Sequence, residues 1–167
     1  VKILVFTEGT MIMHCGGVGH TREEIVRQVQ EKETTIHDWA SYVPIGGAAA
    51  KLKAWQTGGA EIIYLTSRRK IDEIKNIERV LTRNGFPAGR LLFREKGQRY
   101  KDIAEAIAPD ILIEDDCKSI GGVEQMTITH VKPEIKARIL SIQVKEFGGI
   151  DHLPDEITAL KSYKEQL

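Results

Sequence analysis

Lys2-Ile3-Leu4-Val5-Phe6-Thr7-Glu8-Gly9-Thr10 is a short apolar run that stops at a polar, glycine-containing turn. Ile3, Leu4 and Val5 are apolar in succession rather than in alternation. A strand reads this way when helices cover both faces of a parallel sheet. The pattern returns at Ile62-Ile63-Tyr64 and at Ile111-Leu112-Ile113. With two weaker runs added, the expected strands are Lys2 to Phe6, Glu61 to Leu65, Arg90 to Phe93, Asp110 to Glu114 and Leu140 to Val144.

Helical spacing fills the intervals. Ile25, Val26 and Val29 form one stripe, with Thr21 as N-cap and Glu24 as its capping-box partner. Ala48, Ala49, Leu52 and Trp55 form another, closed by Gly58-Gly59. Ile71, Ile74 and Leu81 precede Asn84-Gly85, and Tyr100, Ile103, Ala104 and Ile107 run up to Pro109. A shorter helix is expected at Pro133 to Ile139, with proline in its first turn. Ile157, Leu160 and Tyr163 mark a last one within residues 155–167. Strand and helix alternate throughout. This predicts the α/β class: a three-layer, doubly wound, Rossmann-like parallel sheet of about five strands. The 167 residues are expected to form a single domain. Residues 11–44 are the one sizeable insertion, a flap or at most a very small cap.

Composition narrows the partners. Lysine plus arginine number 24 and aspartate plus glutamate 24, so the formal charge is zero. Duplex nucleic-acid binding draws on a basic excess, and none is present; nucleic acid is disfavoured. No apolar run approaches the ~20 residues of a membrane span. Val1 to Phe6 reads as a strand and not as a secretory leader. Cys15 and Cys117, without a Cys-x-x-Cys pair, are expected as reduced thiols in a cytoplasmic protein.

In doubly wound sheets ligands bind beyond the carboxyl ends of the strands, where strand order reverses. The first strand is followed by Thr7-Glu8-Gly9-Thr10, the second by Thr66-Ser67-Arg68-Arg69, and the fourth by Glu114-Asp115-Asp116. Lys96 and Lys101 precede the fourth strand. Hydroxyls and amides can hold phosphate oxygens, an ammonium can balance them, and adjacent carboxylates suit a hard cation. Such a set is suited to phosphoryl transfer.

The order of these groups over residues 1 to 145 resembles the haloacid dehalogenase-like superfamily, which opens with Asp-x-Asp-Gly-Thr at the end of its first strand. Gly9-Thr10 match the end of that motif. The resemblance places Glu8 at the acid's position, Thr66 at the second motif, Lys101 (or Lys96) at the third, and Asp115-Asp116 at the fourth. It implies Thr7, Gly9, Thr66, Ser67 and Lys101 as phosphate ligands and Glu8, Asp115 and Lys101 as catalytic groups. It also implies Asp115 and Asp116 as ligands of a weakly bound Mg²⁺. The nucleophile's position holds Phe6, and a phenyl ring can neither attack phosphorus nor ligate a metal.

Blander readings stand beside these. Glu8 and Lys101 can be solvated charges, and Thr66 and Ser67 can be helix caps. His14 with Cys15, or with His20, lacks a recognised catalytic or ligand spacing. Gly17 and Gly19 lack the third glycine of a dinucleotide fingerprint. Trp39, Tyr42 and Trp55 read as packing, and His152 beside Asp151 has no positional argument. Three functions follow. The first is a protein that binds a small phosphorylated ligand without aspartyl-phosphate chemistry. The second is a phosphoester hydrolase in which Glu8 or Asp115 activates water. The third is a non-enzymatic interaction module, a homodimer among its forms.

Overall fold

A computed structural model describes residues 1–164. Its strands are β1 (Lys2–Phe6), β2 (Ile12–Met13), β3 (Val43–Pro44), β4 (Glu61–Leu65), β5 (Arg90–Leu92), β6 (Ile111–Asp115) and β7 (Leu140–Val144). Five of them form one sheet in the order β5-β4-β1-β6-β7, and every neighbouring pair is parallel. Strand order reverses between β1 and β6, which places the crevice of a doubly wound sheet above the carboxyl end of β1.

The continuous apolar runs are explained by the two faces. Ile3 and Val5 pack with Leu52 and Trp55 of α2 (Ala48–Thr57) and with Ile77, Val80 and Leu81 of α3 (Ile71–Arg83). Leu4, Ile63 and Leu65 turn to the other face, onto Ile103 and Ala104 of α4 (Tyr100–Ile107) and Ile128 of α5 (Thr127–His130). Ile3, Leu4 and Val5 are wholly buried, so none of these three central positions could have carried the polar half of an alternating pattern.

Residues 11–44 fold over the carboxyl end of the sheet. They hold the antiparallel pair β2–β3, the helix α1 (Arg22–Gln30) and three 3₁₀ turns. Thr21 Oγ1 accepts the Glu24 N–H at 3.2 Å, as its N-cap reading requires. The reciprocal half of the capping box is replaced: the Glu24 carboxylate takes His20 Nδ1 at 2.5 Å instead. Two strand ends also shift from expectation. Phe93 lies beyond β5, and β6 runs one residue further, with Asp115 paired to Val144. Asp115 is therefore a buried strand residue and not the first residue of a loop.

Two short helices follow α5. The helix α6 (Pro133–Lys136) begins on its proline, and α7 (Ile157–Lys161) lies within the predicted C-terminal helix, whose residues 165–167 fall outside the described residues. None of the described helices is long and apolar enough to cross a membrane.

Candidate ligand site at the carboxyl edge of the sheet

A cavity of about 630 Å³ lies over the crevice, and all five strands of the large sheet contribute to its wall. Phe6 and Glu8 come from β1 and its turn, Arg68 follows β4, Arg94 follows β5, Asp115 ends β6 and Glu146 follows β7. The flap closes one side with Met13, His14, Trp39 and Tyr42. Strand order sorts the charges. Among the lining residues, Arg68 and Arg94 stand over the β5–β4 side, Asp115 and Glu146 over the β6–β7 side, and an aromatic ring stands between them, while Glu8 reaches across to the turn after β4.

That ring is Phe6. It packs against the Leu4 cluster and meets Tyr100, the first residue of α4, edge to face at 5.0 Å between centroids. Arg94 Cζ lies over the Tyr100 ring, 4.0 Å from its centroid. Burial raises the pKa of the Tyr100 hydroxyl and lowers that of the Arg94 guanidinium. Among the described residues, Arg94 Nε is buried without a hydrogen-bond partner, and one Nη reaches only the Ser67 carbonyl, at 3.5 Å.

Glu8 gathers the groups that sequence reasoning assigned to phosphate. Its carboxylate accepts from Thr66 Oγ1 at 2.5 Å, from Ser67 Oγ at 3.3 Å and from the Ser67 N–H at 3.4 Å. It also accepts from the Thr7 hydroxyl, and Arg68 Nε stands 3.9 Å away. Trp39 steadies Arg68, whose Cζ sits 3.9 Å above the indole. Thr66, Ser67, Thr7 and Glu8 thus meet in one place, with Glu8 as the anion of the set.

Gly9 serves through its backbone. Its N–H donates to Ile12 O and its carbonyl accepts the Phe147 N–H. A Cβ on Gly9 would meet Asp115 Oδ2 at 2.9 Å, and its φ is +82°, so glycine alone allows this turn to pass the carboxylate.

Asp115 accepts from Thr10 Oγ1 at 2.9 Å and from the Cys117 N–H at 2.8 Å. Burial and the nearby Glu146 carboxylate push its pKa up to about 6 against those two bonds. Glu146 accepts from the N–H and the hydroxyl of Ser119 at 2.7 and 2.6 Å. Asp116 accepts from Arg22 Nη2 at 2.8 and 2.6 Å and from the Glu146 N–H at 3.1 Å. Asp115, Asp116 and Glu146 each offer an oxygen, all within 4.8 Å of one another.

The remaining candidates separate. Lys101 lines the cavity, with Glu105 as a distant partner at 3.9 Å. Lys96 is exposed in the turn after β5 and does not line it. His14 is buried on Gln28 at 2.7 Å, His20 is on Glu24, and no hydrogen bond joins His14 to Cys15 among the described residues. Trp55 is core, and His152 is exposed outside the cavity.

Arg22, Arg94, Tyr100 and Glu146 were not identified from sequence. Two of them had a signal: Arg94 and Glu146 each lie two residues past a strand, where the rule about carboxyl ends points. Tyr100 read as a core stripe. Arg22 becomes part of the site only because the flap folds back onto the sheet.

No protein-family model matches this chain, and no curated protein sequence does. Among solved structures the chain is similar to a class C acid phosphatase from Bacillus anthracis with tungstate bound, at 15% identity and a TM-score of 0.55, over 89% of this chain and 68% of that one. It also overlaps a haloacid dehalogenase family hydrolase from Deinococcus radiodurans with bound phosphate and sodium. That match is at 12% identity and a TM-score of 0.47, over 85% of this chain and 79% of that one. The chain has a haloacid dehalogenase-like fold.

Proposed function

We propose that this protein binds a small phosphorylated ligand in the cavity above β1 and forms no aspartyl phosphate. Arg94 is the observation that carries this reading. A partly buried guanidinium with an unmatched Nε, held over Tyr100 and facing a cavity, is a donor in need of an anion. Arg99 and Lys101 line the same wall and add positive charge. Phe6 supports the non-covalent part, because its ring has no lone pair for phosphorus and closes the floor of the cavity against Tyr100. The fold is shared with an acid phosphatase whose structure carries tungstate, itself an oxyanion, which supports a phosphate-like ligand.

The division of labour follows from the geometry. Arg94, Arg99 and Lys101 take the anion. Glu8 holds Thr66, Ser67 and Arg68 in place, so those hydroxyls reach a ligand only if it replaces Glu8 as their acceptor. The aromatic wall of Phe6, Trp39 and Tyr42 contacts the apolar remainder. Titration calorimetry with inorganic phosphate and with phosphomonoesters tests this. Saturable binding is expected in the native chain and at least tenfold weaker binding in Arg94→Met. Unchanged binding in that variant would refute the assignment to Arg94. Absence of any binding would favour the interaction-module reading.

A second reading rests on Asp115. A buried carboxyl with a pKa of about 6, lining the cavity, is suited to take a proton from water near neutral pH. Under that reading p-nitrophenyl phosphate is hydrolysed, and Asp115→Asn or Glu8→Gln abolishes the turnover. Turnover untouched by both substitutions would exclude it.

A further inference from the structure

The sequence resemblance implies Mg²⁺ on Asp115 and Asp116, and the folded donor set does not suit it. Each oxygen of Asp115 and of Glu146 accepts one protein hydrogen bond and keeps a lone pair, whereas both oxygens of Asp116 are taken by the Arg22 guanidinium. A metal would also have to sit beside a guanidinium that approaches Asp116 to 2.6 Å. Three carboxylates converge here, and the chain itself supplies a cation beside them.

We propose that the guanidinium of Arg22 is the resident cation of this cluster and stands in for a divalent ion. Its placement carries the proposal. Arg22 Nη2 contacts both oxygens of Asp116, and Nε donates to the Glu146 carbonyl at 2.9 Å, so one side chain links the ends of β6 and β7. It is the first residue of α1, and the Thr21 cap fixes the start of that helix. Arg22 and Asp116 keep about a fifth of their side-chain surface exposed, so the pair is sheltered and still reachable by solvent.

Two consequences follow. The native chain has no strong divalent site here, and anything bound in the cavity binds independently of Mg²⁺. Removing the Arg22 charge leaves Asp115, Asp116 and Glu146 with oxygens already within 4.8 Å of one another. That is about the span across a Ca²⁺ ion with ligands at ~2.4 Å. The site is therefore latent, and α1 keeps it closed to metal.

The test is calorimetric titration of CaCl₂ and of MgCl₂ into the native chain, Arg22→Met, Arg22→Lys and Arg22→Met with Asp116→Asn. The native chain and Arg22→Lys are expected to show no saturable binding up to about 10 mM, beyond the weakest range of protein Ca²⁺ sites. Arg22→Met is expected to gain Ca²⁺ affinity at least tenfold, and the added Asp116→Asn to abolish it. If Arg22→Met is too unstable to titrate, Ca²⁺ should raise its melting temperature while leaving the native chain's unchanged. Native binding of either ion that Asp116→Asn removes would overturn the proposal. So would an Arg22→Met variant that neither binds Ca²⁺ nor is stabilised by it. The outcome is independent of phosphate binding through Arg94, which is read on the native chain without metal.

Discussion

At the scale of single residues, Glu8 and Asp115 are two carboxylates a few ångströms from the same turn that meet opposite surroundings. Glu8 is ringed by donors, whereas Asp115 is buried beside another acid. Asp115 therefore carries a pH signature. Its folded pKa of about 6 lies above the 3.8 of a free aspartate, so between those values the folded chain holds the extra proton. Stability falls as pH rises through that window and stays lower above it. The displacement corresponds to about 3 kcal/mol at most. Asp115→Asn is expected to be more stable than the native chain at pH 8 by about 1–3 kcal/mol, with the gap closing toward pH 4. Urea denaturation at the two pH values measures this, and parallel curves would contradict it. Gly9→Ala is expected to cost about 2 kcal/mol or more, because it combines a disfavoured positive φ with a Cβ 2.9 Å from Asp115 Oδ2. Restoring aspartate at position 6 places a carboxylate against Tyr100 and the Leu4 cluster. Phe6→Asp with Glu8→Asp is therefore expected to lower the melting temperature without creating phosphatase activity.

At the scale of elements, caps and strand ends fix what the site can present. Glu114 is buried in β6, and its two oxygens accept the N–H groups of Thr127 and Ile128 at 2.8 and 2.9 Å, closing the amino end of α5. Glu114→Ala would leave both buried amides unpaired and is expected to cost about 2–4 kcal/mol. Amide exchange should rise first over Thr127–His130. Global loss without that local signature would count against the capping role. Most elements were legible in the sequence because burial on both faces, glycine stops and proline starts all leave local marks. The end of β6 was not. Asp115 is polar, so it read as loop, yet ladder pairing to Val144 holds it in the sheet. The capping box failed for a related reason: His20 competes for Glu24, and composition alone does not rank two partners for one carboxylate.

At the scale of the whole molecule, the sheet brings together residues that lie far apart in the chain. Glu8 with Thr66 and Ser67 was legible because each follows a strand. Arg22 on Asp116 was not, since 94 positions separate them and only the fold of the flap joins them. If a phosphomonoester occupies the cavity at about 100 times its Kd, linkage adds about 2.7 kcal/mol. For a chain of this size that is a rise of about 5–10 °C in melting temperature. The rise should shrink with added salt, because the contacts are ionic. A salt-independent shift would point to apolar binding instead.

The sorting of charge along the carboxyl edge has one more effect. The five strands span about 19 Å at ~4.8 Å spacing, with Arg94 near one end and Glu146 near the other. A guest molecule carrying both signs would meet a torque before it touched any wall. Its orientation would be selected on approach, and only afterwards would close contacts decide how long it stays.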